Sequence, residues 1–197
     1  MNPWRTYLSL LLLVLAGCQP SVAVDASADS GGSDAVAHEV AADMVSAAIE
    51  RIVVEEPTDV APVLGAAALV PARLSPGGSA TLVVRLKIAP GWHIYAAESR
   101  DGPNQPTRVD ATLPEGCSAV GEWESPPAAP QVTPYGMSAI YQNEAVFRQS
   151  LRFEPSIRLG ETSIRCDVRY QACDPRRCLQ PVRLTLQVPV QLVTEKD

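Results

Sequence analysis
From Ser79 onward the chain alternates apolar and polar positions with a period of two. Leu82, Val84, Leu86 and Ile88 fall on one side; Val83, Arg85 and Lys87 fall on the other. Thr162, Ile164, Cys166, Val168 and Tyr170 alternate in the same way with Ser163, Arg165, Asp167, Arg169 and Gln171. Near the C-terminus Val182, Leu184, Leu186, Val188, Val190 and Leu192 alternate with Arg183, Thr185, Gln187, Pro189 and Gln191. Such alternation marks strands with one buried and one wetted face, as in antiparallel sheets. Pro189 falls on the outward side and points to an edge strand, where a missing N–H is tolerated. Further strands are expected near 63–70, 92–97, 106–112 and 144–153. Seven or eight strands divided by Pro/Gly turns predict an all-β, antiparallel β-sandwich over residues 61–197.

Composition agrees and narrows the field. Eighteen Pro and twelve Gly against ten aromatics argue against a bundle of long helices. Charge is unevenly spread: residues 19–60 hold one Arg and nine Asp or Glu, whereas residues 61–197 are within one charge of neutral. A near-neutral domain behind an acidic leader excludes nucleic acid as the expected partner. The first seven residues carry one cation, Arg5, and the apolar run Leu8–Ala16 that follows is interrupted only by Ser9. That run is too short to span a bilayer and fits the core of a signal peptide. It ends in Leu15-Ala16-Gly17-Cys18, which resembles a bacterial lipobox. The resemblance implies a signal peptide over 1–17, cleavage before Cys18 and lipidation of its thiol, with acyl chains that anchor firmly. The expected location is then the cell envelope, facing the periplasm, and Gln19 after the cysteine points to the outer membrane. Residues 18–60, rich in Ala, Ser, Gly and Asp, read as an acidic flexible tether. Val40–Val54 within it has good helix formers but no clean apolar period.

Setting Cys18 aside leaves Cys117, Cys166, Cys173 and Cys178, an even number in an oxidising compartment with three pairings open. Cys173 and Cys178 bracket Asp174-Pro175-Arg176-Arg177, between the strand ending near Tyr170 and the one starting near Val182. They would face each other at the neck of a hairpin, with Cα atoms roughly 4.5–5.5 Å apart. Closing that six-residue loop stabilises by about 2.2 kcal/mol, whereas a Cys117–Cys166 bridge around fifty residues would contribute about 4.1 kcal/mol. The short loop is the poorer staple and the better candidate for reversible chemistry. Arg176 and Arg177 inside it would favour the thiolate that disulfide exchange needs. Spacing alone leaves a structural clip on a hairpin equally open.

The wording of three segments goes further. Val168-Arg169-Tyr170-Gln171-Ala172-Cys173-Asp174-Pro175-Arg176-Arg177-Cys178-Leu179-Gln180-Pro181 resembles the active-site hairpin of the N-terminal periplasmic domain family of the thiol:disulfide interchange protein DsbD. Pro90-Gly91-Trp92-His93-Ile94-Tyr95 is similar to the family's Gly-aromatic-x-x-Tyr strand, and Pro134-Tyr135-Gly136-Met137-Ser138-Ala139-Ile140-Tyr141 to its cap loop. The resemblance implies an immunoglobulin-like sandwich that relays electrons from a membrane donor of the DsbD/CcdA type to disulfide-containing periplasmic proteins. It makes the chain a thiol:disulfide oxidoreductase without a cofactor. Carried over by position, Cys178 would form mixed disulfides with partners and Cys173 would resolve them. His93 and Tyr95 would flank the pair, and Tyr135 with its loop would cover it. The chain departs from the family pattern in having one residue fewer between the cysteines than the best-known members. Pro134 also stands where their cap carries an aromatic. Membrane-spanning and thioredoxin-like domains do not follow in this sequence, so electrons are expected from another polypeptide.

Other constellations are weaker. His93, Cys173 and Cys178 are three soft ligands without an evident fourth, so no metal is expected. Glu122 and Glu124 flank Trp123 on a loop-like stretch and read as a wet face, and His38 lies in the tether. The chain has neither a Ser-His-Asp arrangement nor a Gly-rich phosphate loop. The competing function is a lipid-anchored binding module whose Cys173–Cys178 pair only stiffens a loop.

Overall fold
The computed structural model describes residues 43–99, 104–133 and 136–194. The signal peptide, Cys18, the first part of the tether, Pro134 and Tyr135 lie outside these residues. A short helix α1 covers residues 43–51. Twelve strands follow: β1 (Val63–Val70), β2 (Arg73–Leu74), β3 (Ser79–Ile88), β4 (His93–Tyr95), β5 (Arg108–Thr112), β6 (Cys117–Glu124), β7 (Ala129–Thr133), β8 (Gly136–Tyr141), β9 (Glu144–Phe153), β10 (Gly160–Tyr170), β11 (Ala172–Cys173) and β12 (Val182–Leu192).

They form three four-stranded sheets, ordered β1-β3-β9-β6, β2-β12-β10-β5 and β11-β4-β8-β7. Pairing is antiparallel except between β12 and the two-residue β2. The alternation seen in the sequence becomes the core: Leu82, Val84, Leu86 and Ile88 of β3 pack in one cluster with Ile164, Cys166 and Val168 of β10 and Val188, Val190 and Leu192 of β12. The chain is thus an antiparallel β-sandwich of immunoglobulin-like type. Among the described residues β12 is hydrogen-bonded, beyond β10, only to β2 at Gln191 and Leu192, while β1 lies close against it.

Two expectations change. The segment read as flexible up to residue 60 is packed from α1 onward. Val83, on the outward side of β3, is fully buried because Ile49, Ile52 and Val54 close over it. Arg85 donates from one guanidinium nitrogen to the carbonyls of Ile49 and Ile52, both at 3.0 Å, and so ties the end of α1 to β3; the Ile49 carbonyl also accepts from Ile52 N–H at 3.1 Å. Arg85 also pairs with Glu144, and Lys87 pairs with Glu56. The stretch around Glu122 and Glu124, read as loop, is strand β6. It gave no alternation because it is an exposed edge with an irregularity between Val120 and Glu124. Gly121 there has φ 73°, a conformation that suits glycine. Buried Gln149 donates to the carbonyls of Val120 (3.1 Å) and Gly121 (3.2 Å) and so supports the irregular edge.

Candidate functional site
The chain leaves β10 at Tyr170 and immediately changes sheets. Ala172 and Cys173 form β11, which pairs with β4 in the register Ala172↔Ile94 and Cys173↔His93. The cysteines are therefore set not by a simple extension of the β10–β12 hairpin but by the third sheet. Cys173 and Cys178 are joined in a disulfide with Cα atoms 4.0 Å apart, somewhat closer than the hairpin estimate.

Asp174 shapes the loop between them. Its Oδ1 accepts from the backbone N–H groups of Arg176 and Arg177, both at 2.7 Å, while its own N–H donates to the Arg177 carbonyl at 2.9 Å. This is the local turn geometry that aspartate favours. The same N–H groups hold the Asp174 carboxyl below its ordinary pKa. Leu179 N–H donates to the Ala172 carbonyl at 2.8 Å, and Gln171 Nε2 to the Leu179 carbonyl at 3.0 Å, so the neck is closed by hydrogen bonds as well as by sulfur.

The two arginines both lie in the loop between the sulfurs. Arg177 Nε lies 3.7 Å from Asp174 Oδ2, and its guanidinium carbon sits 5.8 Å from the centre of the Trp92 ring. Trp92 is a core residue whose Nε1 donates to Asp59 Oδ1 at 3.1 Å. A carboxylate and an aromatic ring thus already engage one of the two cations. Arg176 is exposed.

The two sulfurs occupy different environments. Cys173 is 1% exposed and packs with Tyr95 and Ile140, whereas Cys178 is exposed. Cys178 Sγ lies 3.9 Å from Asn104 Oδ1, and Gln105 N–H donates to Gln171 Oε1 at 3.0 Å. Thr107 donates to the Tyr95 carbonyl from both its N–H (2.8 Å) and its hydroxyl (2.7 Å). The segment 104–107 is thereby fastened to both the hairpin and β4. His93 is the register partner of Cys173 and Tyr95 packs in one cluster with it; both are buried, and their rings meet edge-on at 5.4 Å. Burial lowers the His93 pKa, against an opposing pull from Asp174, and raises that of Tyr95. His93 Nε2 is buried without a hydrogen-bond partner among the described residues.

Asn104, Gln105, Gln171 and Asp174 were not singled out in the sequence. Only Asp174 carried a signal, as an aspartate before a proline inside a short loop. The β7–β8 hairpin of the same sheet exposes Val132 (79%) and Met137 (57%), which are register partners.

The Cys117–Cys166 bridge is not formed: both thiols are free. Cys117 opens edge strand β6 opposite Phe153 in the first sheet, whereas Cys166 lies in the middle of β10 between Ala111 and Leu186 in the second. Burial pushes the Cys117 thiol up to about 11 and the Cys166 thiol to about 12, so both behave as apolar side chains. Among the described residues no group of three His, Cys, Asp or Glu side chains is arranged to hold a metal ion, and no helix is long and apolar enough to cross a membrane.

An exposed sulfur bonded to a buried one admits an incoming thiolate from one side only. Attack in line with the bond, at the exposed Cys178, would expel Cys173 into the protein.

The model of the family described as thiol:disulfide interchange protein DsbD, N-terminal, matches residues 61–189. Among solved structures, the N-terminal periplasmic domain of ScsB from Proteus mirabilis is 17% identical, with 64% of this chain and 44% of that chain covered and a TM-score of 0.44. This chain therefore spans less than half the length of that one. The reduced DsbD N-terminal domain from Neisseria meningitidis is 16% identical over 57% of this chain and 82% of its own, with a TM-score of 0.38. The complex between the DsbD N-terminal and PilB N-terminal domains from the same species gives 14% identity, 66% and 88% coverage, and a TM-score of 0.45. No curated protein sequence matches.

Proposed function
The chain belongs to the DsbD N-terminal family, and from that membership we propose that it is an envelope-anchored relay of thiol:disulfide interchange. In the reduced state the Cys178 thiolate attacks a sulfur of a partner's disulfide and expels one partner thiolate. Cys173 then attacks Cys178, expels the second, and leaves Cys173–Cys178 oxidised. Two electrons have passed to the partner. A membrane donor of the DsbD/CcdA type would return them by the reverse exchange. Disulfide-containing periplasmic proteins are the proposed clients; the solved complex with a PilB domain is a precedent in a family member. Lipidation of Cys18, read from Leu15-Ala16-Gly17-Cys18, would hold the domain at the envelope surface, in the outer membrane.

The observation that carries this reading is the asymmetry of the pair, with Cys178 exposed and Cys173 1% exposed across a loop of only six residues. A structural clip has no need of one open sulfur. The experiment is mixed-disulfide trapping in the native envelope. Cys173→Ala should accumulate adducts through Cys178 that dissolve on reduction, and Cys178→Ala should accumulate none. The absence of adducts from Cys173→Ala, with a pair potential below about −300 mV, would return the pair to the role of a clip.

A further inference from the structure
We infer that His93 is the proton partner of Cys173, accepting the thiol proton through Nε2 when Cys173 resolves a mixed disulfide held at Cys178. This rests on the exchange reading above and adds to it a residue that acts on one half-reaction only.

His93 and Cys173 are register partners across β4 and β11. Directly opposite residues on antiparallel strands project to the same face, with Cβ atoms about 4.5–5.5 Å apart. Both are more than nine-tenths buried, and His93 Nε2 has no hydrogen-bond partner among the described residues. A buried nitrogen left alone is an exception in folded proteins and calls for a reason. In the oxidised protein the opposite sulfur is bonded to Cys178 and has no proton to give. On reduction it gains an S–H, on the strand face that the register shares with the imidazole.

Chemistry supplies the need. Resolution requires a thiolate at Cys173. Two other thiols of this same chain show what burial does: it pushes Cys117 to about 11 and, with the charge of neighbouring Asp167 added, Cys166 to about 12. Cys173 is as buried as Cys166 and packs against Tyr95 and Ile140. Left to burial, it would supply almost no thiolate at neutral pH. Among the described residues, the titratable groups next to His93 are Cys173 on β11, Asp174 at the head of the loop and Tyr95 on its own strand. Burial outweighs Asp174 and keeps the imidazole neutral at neutral pH, the form that accepts a proton.

The step balances. Nε2 takes the proton from Cys173 Sγ, which bonds to Cys178 Sγ as the bond between Cys178 and the partner sulfur breaks. The partner leaves as a thiolate and draws a proton from water, and the imidazolium returns its proton to water. In the reverse direction the imidazolium protonates Cys173 as it is expelled.

The test uses the full reduced chain carrying Cys18→Ala and Cys117→Ala, mixed with dithiobis-nitrobenzoate and followed by stopped-flow absorbance. Attack by Cys178 releases the first thionitrobenzoate, and resolution by Cys173 releases the second. In the parent protein the second phase should be flat with pH from above the lowered histidine value through about pH 8. His93→Phe and His93→Gln should slow that phase by about 10²-fold or more and make it rise tenfold per pH unit, while the first phase stays within about twofold. A second phase within about threefold of the parent, with an unchanged pH profile, overturns the role of His93. So does a parent second phase that already rises tenfold per pH unit, a measurement that needs no variant to fold. If the parent releases only one equivalent, the exchange reading fails instead, whatever His93 does.

Discussion

The proposed relay requires the protein to survive the loss of its disulfide in every cycle, and the structure sets how large the loss is. The Cys173–Cys178 bond closes a six-residue loop. In the chain-entropy treatment its removal destabilises by about 2.2 kcal/mol. The loop has other closures: Asp174 N–H to the Arg177 carbonyl, Leu179 N–H to the Ala172 carbonyl, Gln171 to the Leu179 carbonyl, and the pairing of β11 with β4. None of these involves sulfur, so the hairpin should keep its shape on reduction. For a domain of this size 2.2 kcal/mol corresponds to a fall in Tm of about 4–9 °C. The assay is calorimetry or circular dichroism of the same protein with and without a phosphine reductant. The expected result is one cooperative transition in both states, displaced by that interval. A fall beyond about 15 °C, or a reduced protein that melts without cooperativity, would refute the reasoning. The disulfide would then be the staple of the site, and a relay that unfolds whenever it is charged could not work.

Two further outcomes follow from named side chains. Asp167, 4% exposed, accepts from Arg183 Nη2 (2.7 Å), Arg183 Nε (3.1 Å) and Thr185 Oγ1 (2.6 Å), contacts that hold its pKa far below the ordinary carboxylate value. Because the folded value is depressed, its contribution is present above about pH 4 and lost as pH falls below that; Asp167→Asn should therefore flatten the acid limb of a Tm–pH curve, and an unchanged limb would contradict the assignment. With a thiol at about 11, Cys117 is roughly one part in a thousand thiolate at pH 8, against about a quarter for an ordinary cysteine. Iodoacetamide should accordingly modify it at least about 100-fold more slowly than a small thiol, with Cys166 slower still, and rapid labelling of either in the folded protein, read by mass spectrometry, would show that the burial is wrong.

Much of the sandwich was legible because β3, β10 and β12 each bury one face and wet the other, and period two reports that contrast directly. It fails where burial is not one-sided. Most of β6 is exposed, so Cys117–Glu124 shows no alternation. Val83 looked outward because nothing local announces that α1 will cover it. At the site, the loop and its even cysteine count pointed to the pair, and the family wording pointed to His93 and Tyr95. That Cys178 would be the partner-facing sulfur came from the family wording alone; composition and spacing could not show it, because it depends on β11 leaving one sheet for another, a decision made by contacts with β4 far away in sequence. The same holds for Arg177: from the sequence it is a bare cation near two thiols, and only the fold brings Trp92 beneath it. The Cys117–Cys166 pairing failed for a simpler reason, since parity counts cysteines without knowing on which sheet each will lie.

The grip of Arg85 on the carbonyls of Ile49 and Ile52, backed by Glu144, has a mechanical side. A load arriving through the chain ahead of residue 43 meets this clasp, and then the Lys87–Glu56 link, before it reaches Asp59 and the indole beneath the cysteine loop. Tugging is resisted in shear along the outside of β3. A pull applied at residue 43 would therefore be borne by Arg85 and Lys87 on β3 before it reached the cysteine loop.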